Sequence, residues 1–215
     1  PLESEGLSPV ITALLHYASD IKDDETIYYS IFDFGGGTTD FDFGIWSVEE
    51  KDTRKYDYNI KHFGNEGDRY LGGENLLELL ANHVFKNNQD YLLKNSFAFS
   101  LHPEMKKWLG SEGIVNDSQE AKRNTRTLME LLRPFWEDKQ DDLRISNEKA
   151  EDAEIELSLT NSQGIAIQGC KLKLNIKNLE EILKDRVREG VQKFFGALDN
   201  AFKVLDSVET IEIFL

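Results

Sequence analysis

Residues 27–46 read IYYSIFDFGGGTTDFDFGIW, and the fold turns on this stretch. Residues 27–34 are β-branched and aromatic, the composition of a strand. Gly35-Gly36-Gly37 interrupts it. Residues 38–46 then alternate, with Phe41, Phe43 and Ile45 on one face and Asp40, Asp42 and Gly44 on the other, the two-residue period of a second strand. A third strand is expected over 56–63 after a polar turn. Three consecutive strands with short connections predict an antiparallel meander.

The turn has chemistry of its own. Three glycines permit backbone angles closed to other residues and let a ligand approach the main chain. Successive amides there form a concave nest for an anion. A hairpin brings Asp33 and Asp40 to the same end of the sheet. Two carboxylates beside a phosphate nest repel the phosphate unless a cation lies between them, and Mg²⁺ suits that place. Thr38 offers a hydroxyl to a terminal phosphate or an attacking water. The same residues also read as a Gly-rich turn with solubilising acids. The run is not a Walker loop, which needs GK[ST] leading into a helix.

Downstream, Gly64–Gly73 reads as a glycine-rich loop, and a helix begins at Glu74 with Leu76, Leu77, Leu80 and Val84 on one face. The pair Gly72-Gly73 at that helix start would expose amides to a phosphate or ribose. Residues 95–117 are irregular, with a short helix expected at Met105–Leu109. Residues 116–120 form an N-cap cluster for a helix that runs to about Leu132, ahead of Pro134. Residues 137–152 read as a charged loop or frayed helix. Strands are expected at Ile155–Leu159 and, after a turn at Asn161–Gly164, within 165–176. Leu179, Ile182, Leu183, Val187, Val191, Phe194, Phe195, Leu198 and Phe202 predict the apolar face of a long amphipathic helix. The apolar run 211–215 predicts a last strand buried on both faces. Upstream, 7–19 has helical spacing and 20–25 is an acidic connector.

The chain has 215 residues, 40% of them apolar, which is enough for a real core. Its charges are 40 acidic against 25 basic, a net of −15, which argues against a nucleic-acid backbone or an anionic membrane as partner. The single cysteine, Cys170, cannot form an intrachain disulfide and reads as a small buried residue. With no apolar run of spanning length and no signal peptide, a cytoplasmic location is expected. The start at Pro1 and the apolar end suggest an excerpt of a longer protein.

Taken in order, these motifs resemble the ATPase domain of the seventy-kilodalton heat-shock chaperones (DnaK-like proteins), a branch of the actin and sugar-kinase superfamily. IFDFGGGTTDFDFGIW is similar to the family's second phosphate motif, and GDRYLGGENLLELLANHVF to the segment opening its inserted subdomain. EAKRNTRTL resembles the adenosine-facing helix of that insert. LNIKNLEEILKDRVREGVQKFFGALDNAF resembles the long returning helix, and VETIEIFL the strand leading into an adenosine-contacting glycine loop. Gln119 stands where the family usually has a ribose-binding glutamate, no glutamate-proline pair matches near Glu3 and Glu5, and 95–117 departs from the common pattern. The resemblance is therefore to a divergent member.

The resemblance implies an α/β fold: one ribonuclease H-like lobe, with residues 1–73 and 175–215 as the sheet subdomain and 74–174 as an inserted α+β subdomain. It implies that Gly35, Gly36, Gly37 and Thr38 hold the β- and γ-phosphates, with Gly72 and Gly73 bordering them. Asp33 and Asp40 would order the waters around Mg²⁺, Asp33 and Thr38 would serve catalysis, and Gln119, Lys122 and Arg123 would face the adenosine of ATP or ADP. Partners implied are the first ATPase lobe and a C-terminal domain of the same chain, with nucleotide-exchange or co-chaperone proteins. The expected activity is ATP hydrolysis coupled to an attached domain, absent from this piece alone because it supplies one side of the γ-phosphate. The alternative is a non-catalytic scaffold or interaction domain that keeps the fold. A small-molecule kinase is disfavoured, because the insert matches the chaperone lobe better.

Overall fold

In the computed structural model, the described residues are 26–48, 58–137, 145–146, 152–203, 205, 208 and 210–215. The helix expected at 7–19, the connector at 20–25 and nearly all of the charged stretch 137–152 lie outside them. The chain divides into two compact units, one of 1–71 with 188–215 and one of 72–187. Among the described residues no helix is long and apolar enough to cross a membrane.

The first unit is built on a four-stranded sheet. β1 (Thr26–Phe34) pairs antiparallel with β2 (Thr39–Val48), which pairs antiparallel with β3 (Tyr58–Asp68). β7 (Glu212–Phe214) adds parallel to β1, giving the order β3-β2-β1-β7. The alternation sorts apolar residues to both faces. Phe41 and Phe43 meet Phe194, Ala197 and Phe202 of the long helix on one face, while Tyr29, Ile31 and Trp46 form a second cluster. The Phe32, Phe41 and Phe194 rings lie 5.3 Å apart in each pair, a spacing at which aromatic quadrupoles attract.

Two expectations are corrected here. β3 continues through Gly64–Asp68, which the glycine content marked as loop; a register shift opposite Phe43 and Gly44 lets it stay paired to the start of β2. β7 is an edge strand among the described residues, with Glu212 exposed and Ile213 44% exposed, so in this chain it is not buried on both faces.

The second unit holds α1 (Gly73–Asn87), α2 (Gln89–Lys94), a 3-10 turn at Ser111–Gly113, α3 (Gln119–Trp136) and a sheet ordered β4-β5-β6. These strands are Ile145–Ser146, Asp152–Thr160 and Ala166–Asn175. Leu77, Leu80, Val84 and Phe85 of α1, Leu128 and Leu132 of α3 and the inward residues of β5 and β6, Cys170 included, make one core. Met105–Leu109 is not helical. α3 runs past Pro134, because a proline in the last turn removes only one hydrogen bond and the Glu137 amide still reaches the Arg133 carbonyl at 2.9 Å. α4 (Ile176–Phe202) starts in this unit, where Leu179 joins the core, and ends in the other. A boundary at the start of that helix therefore differs from the observed one, which falls inside it.

Candidate functional site

The β1–β2 hairpin sets the candidate phosphate site. Asp33 and Asp40 are register partners, followed toward the turn by Phe34 and Thr39. The Gly35 amide then donates to the Thr38 carbonyl at 2.8 Å, leaving Gly36 and Gly37 at the tip. None of the three glycines takes a left-handed φ; Gly110, Gly164 and Gly169 do. At Gly35 the reason for glycine is therefore space. A Cβ on Gly35 would lie 2.9 Å from the Thr38 carbonyl oxygen, whereas one on Gly36 or Gly37 would meet nothing within 4 Å. The main chain of the tip is open to approach, as a cradle of amides for an anion requires.

Both carboxylates stand beside that cradle, Asp33 half-buried and Asp40 exposed. The Thr38 hydroxyl lies 3.4 Å from Asp40 Oδ2. Gly67, opposite Asp40 on β3, is needed for this packing: a Cβ there would come 2.6 Å from the Thr39 carbonyl oxygen and 3.3 Å from Asp40 Oδ1. Among the described residues no three His, Cys, Asp or Glu side chains gather as a metal-binding set. Two carboxylates still suit Mg²⁺, which keeps several waters and completes its shell with phosphate oxygens.

The segment after β3 is tied to the base of this hairpin. The Thr39 hydroxyl donates to the Leu71 carbonyl. Asp68, 4% exposed, accepts from Lys193 Nζ at 2.7 Å and from the Tyr70 amide at 3.0 Å. Gly190 of α4 lies against the Leu71 side chain with no room for a Cβ. Sequence reasoning gave no role to Thr39, Gly67, Asp68, Gly190 or Lys193. The glycine-turn and GDRY runs contain the first three, and nothing local marked Gly190 or Lys193.

A polar group lies farther along the Asp33–Asp40 strands. Tyr29 is fully buried, and its hydroxyl lies 3.1 Å from His62 Nδ1 and 3.5 Å from Asp42 Oδ1. Burial, then the Asp42 charge, pushes its ionisation far above the ordinary tyrosine range.

The remaining residues fall in the second unit. Gly72 is the buried, extended N-cap of α1 with no side-chain cap, and Gly73 opens the helix. Gln119, Lys122 and Arg123 are exposed on the first turns of α3, whose N-cap Ser118 accepts from the Ala121 amide at 3.1 Å. Arg123 also borders a cavity of about 640 Å³ between α3 and the β5–β6 hairpin, which Gln119 and Lys122 do not line. The structure thus gathers Asp33, Gly35–Gly37, Thr38 and Asp40 on one hairpin, and Gln119, Lys122 and Arg123 on one helix. No protein-family model matches the chain, and no curated protein matches it at a significant level.

Proposed function

We propose that this chain is the nucleotide-binding lobe of a heat-shock-chaperone-like ATPase of ribonuclease H-like fold. In this reading it binds ATP or ADP with Mg²⁺ against a first lobe and couples hydrolysis to an attached domain, in the cytoplasm. The observation that carries the reading is the juxtaposition of two cross-strand carboxylates with a glycine tip open to approach. The sheet order β3-β2-β1-β7, an antiparallel meander with a parallel fourth strand, is consistent with it.

The chain's own groups divide the work. Gly35, Gly36 and Gly37 hold the terminal phosphates against the main chain of the tip, where the Gly36 amide donates, and the Thr38 hydroxyl hydrogen-bonds a phosphate oxygen or the attacking water. Asp33 orients that water from the half-buried side, while Asp40, held near Thr38, completes the carboxylate pair. Asp33 and Asp40 would hold Mg²⁺ through water, and the ion would neutralise charge on the β- and γ-phosphates. By the resemblance, Gly72 and Gly73 would border the phosphates, and Gln119, Lys122 and Arg123 would face the adenosine.

Equilibrium titration of the chain with ATP, with and without Mg²⁺, tests this. Binding that tightens with Mg²⁺ and weakens in Gly36→Ala is expected, without appreciable turnover by this chain alone. A scaffold that merely keeps the fold predicts no nucleotide binding, and that result would overturn the reading.

A further inference from the structure

We propose that the cavity between α3 and the β5–β6 hairpin is a second ligand site, for a phosphomonoester whose carbon body carries hydroxyl groups. The proposal does not rest on the nucleotide reading, and Arg123 is the one residue the two share.

The cavity exists because Asn124 pins α3 beside β5. Its side chain, 1% exposed, donates to the Ala98 and Thr160 carbonyls at 2.9 and 2.8 Å and accepts from the Thr160 amide at 2.7 Å. The neighbouring face of the helix then looks across a gap of about 640 Å³ toward β5 and β6. That volume lies in the range of small-molecule sites.

Arg123 and Arg126 stand one turn apart on this face. Among the described residues neither side chain makes a hydrogen bond or ion pair. Glu130, which lines the same gap and feels the Arg126 charge, is already engaged: both its oxygens accept from Arg133, at 3.1 and 3.0 Å. Two adjacent guanidinium forks offer many donors and two positive charges, in a chain whose net charge is −15. A phosphomonoester, close to doubly charged near neutral pH with three terminal oxygens, matches that pair better than a single carboxylate.

The rest of the lining selects the body of the ligand. Leu131 and Leu157 supply apolar surface, while the side chains of Ser158, Gln168 and Glu156 carry no hydrogen bond among the described residues. An amide, a hydroxyl and a carboxylate facing one cavity can exchange hydrogen bonds with sugar-type hydroxyls. The carboxylate also disfavours a longer polyanion.

The test is calorimetric titration of the whole chain with glucose 6-phosphate, ribose 5-phosphate, inorganic phosphate and succinate, up to millimolar concentration. At least one sugar phosphate should bind roughly 10-fold more tightly than phosphate or succinate, since only it uses both halves of the cavity. Arg126→Gln should weaken that binding by roughly 10- to 100-fold through loss of a charge-assisted contact. Ser158→Leu, which puts bulk into the cavity, should weaken it as well. Both variants should melt within a few degrees of the parent, which separates loss of the site from loss of the fold. Two results would overturn the proposal: no sugar phosphate binds the parent, or binding survives both substitutions. Competition of bound sugar phosphate by MgATP, with joint loss of both in Arg126→Gln, would also overturn it, because the site would then be the nucleotide's own.

Discussion

Asp33 and Asp40 stand directly opposite each other across β1 and β2, one register position before the hairpin turns. Like charges directly opposite in a sheet are destabilising. The pair therefore costs the fold something, a cost that a bound cation would offset. Asp33→Asn should stabilise the chain by a few tenths to about 1 kcal/mol in denaturant melts. In the protein with both lobes, the same change should slow ATP hydrolysis by about 10²-fold, or about 2.7 kcal/mol, with little effect on nucleotide affinity. Unchanged single-turnover hydrolysis would show that these are surface acids beside a turn.

The glycines of the site separate into two kinds. A Cβ at Gly67 would press on the Thr39 main chain, which cannot give way as a flexible side chain can. Gly67→Ala should therefore cost about 1–3 kcal/mol of stability. Gly36→Ala should stay within about 0.5 kcal/mol of the parent, since its Cβ meets nothing. If the tip binds phosphate, Gly36→Ala should nevertheless weaken MgATP binding by roughly 10-fold, because its Cβ would stand in the open space through which the ligand reaches the main chain. Paired melts and titrations read both quantities.

Tyr29 makes the first unit sensitive to alkali. Burial and Asp42 keep its hydroxyl protonated in the native state well above the ordinary tyrosine range. The unfolded chain ionises this group near pH 10, so above that pH the native state binds more protons and stability falls as pH rises. The contribution is fully present below about pH 10 and is lost toward the raised native value. The slope from this one group reaches at most about 1.4 kcal/mol per pH unit. Tyr29→Phe should lower stability by about 1 kcal/mol at pH 7 and flatten the decline above pH 10. Urea melts at several alkaline pH values measure the difference between the two proteins.

Asn124 carries the junction between α3 and β5. Asn124→Ala would leave the Thr160 amide and carbonyl and the Ala98 carbonyl without their partner in a buried place. A loss of roughly 3 kcal/mol is expected. Asn124→Asp keeps the acceptor for the Thr160 amide but no donors, so it should not rescue the fold. Thermal melts of both variants test this.

Local rules read some of these features well. The aromatic strand, the glycine break and the alternating strand behind it placed β1 and β2 almost to the residue, because side-chain alternation and glycine need no distant partner. The capping cluster located the start of α3 for the same reason, with Ser118 as N-cap. In the long helix, local periodicity put Val191 and Phe195 on the apolar face, yet they are 38% and 51% exposed, while Gly190 is buried against Leu71.

The sequence by itself determined which residues form the hairpin, where the acids and glycines sit on it, and that the long helix forms, since each depends on neighbours a few residues away. Only the tertiary structure decided that Gly64–Asp68 is strand, that β7 lies on the sheet edge, and that Asp68 is buried beneath Lys193. It also decided that Arg123 and Arg126 border a cavity, and that Gly35 serves space rather than a left-handed backbone while Gly36 and Gly37 stand open to approach. Glycine permits a loop and a close approach equally well, and the choice depends on what lies across from it. For Gly67 that is the Thr39 backbone, and for Gly36 it is open space that a ligand can enter.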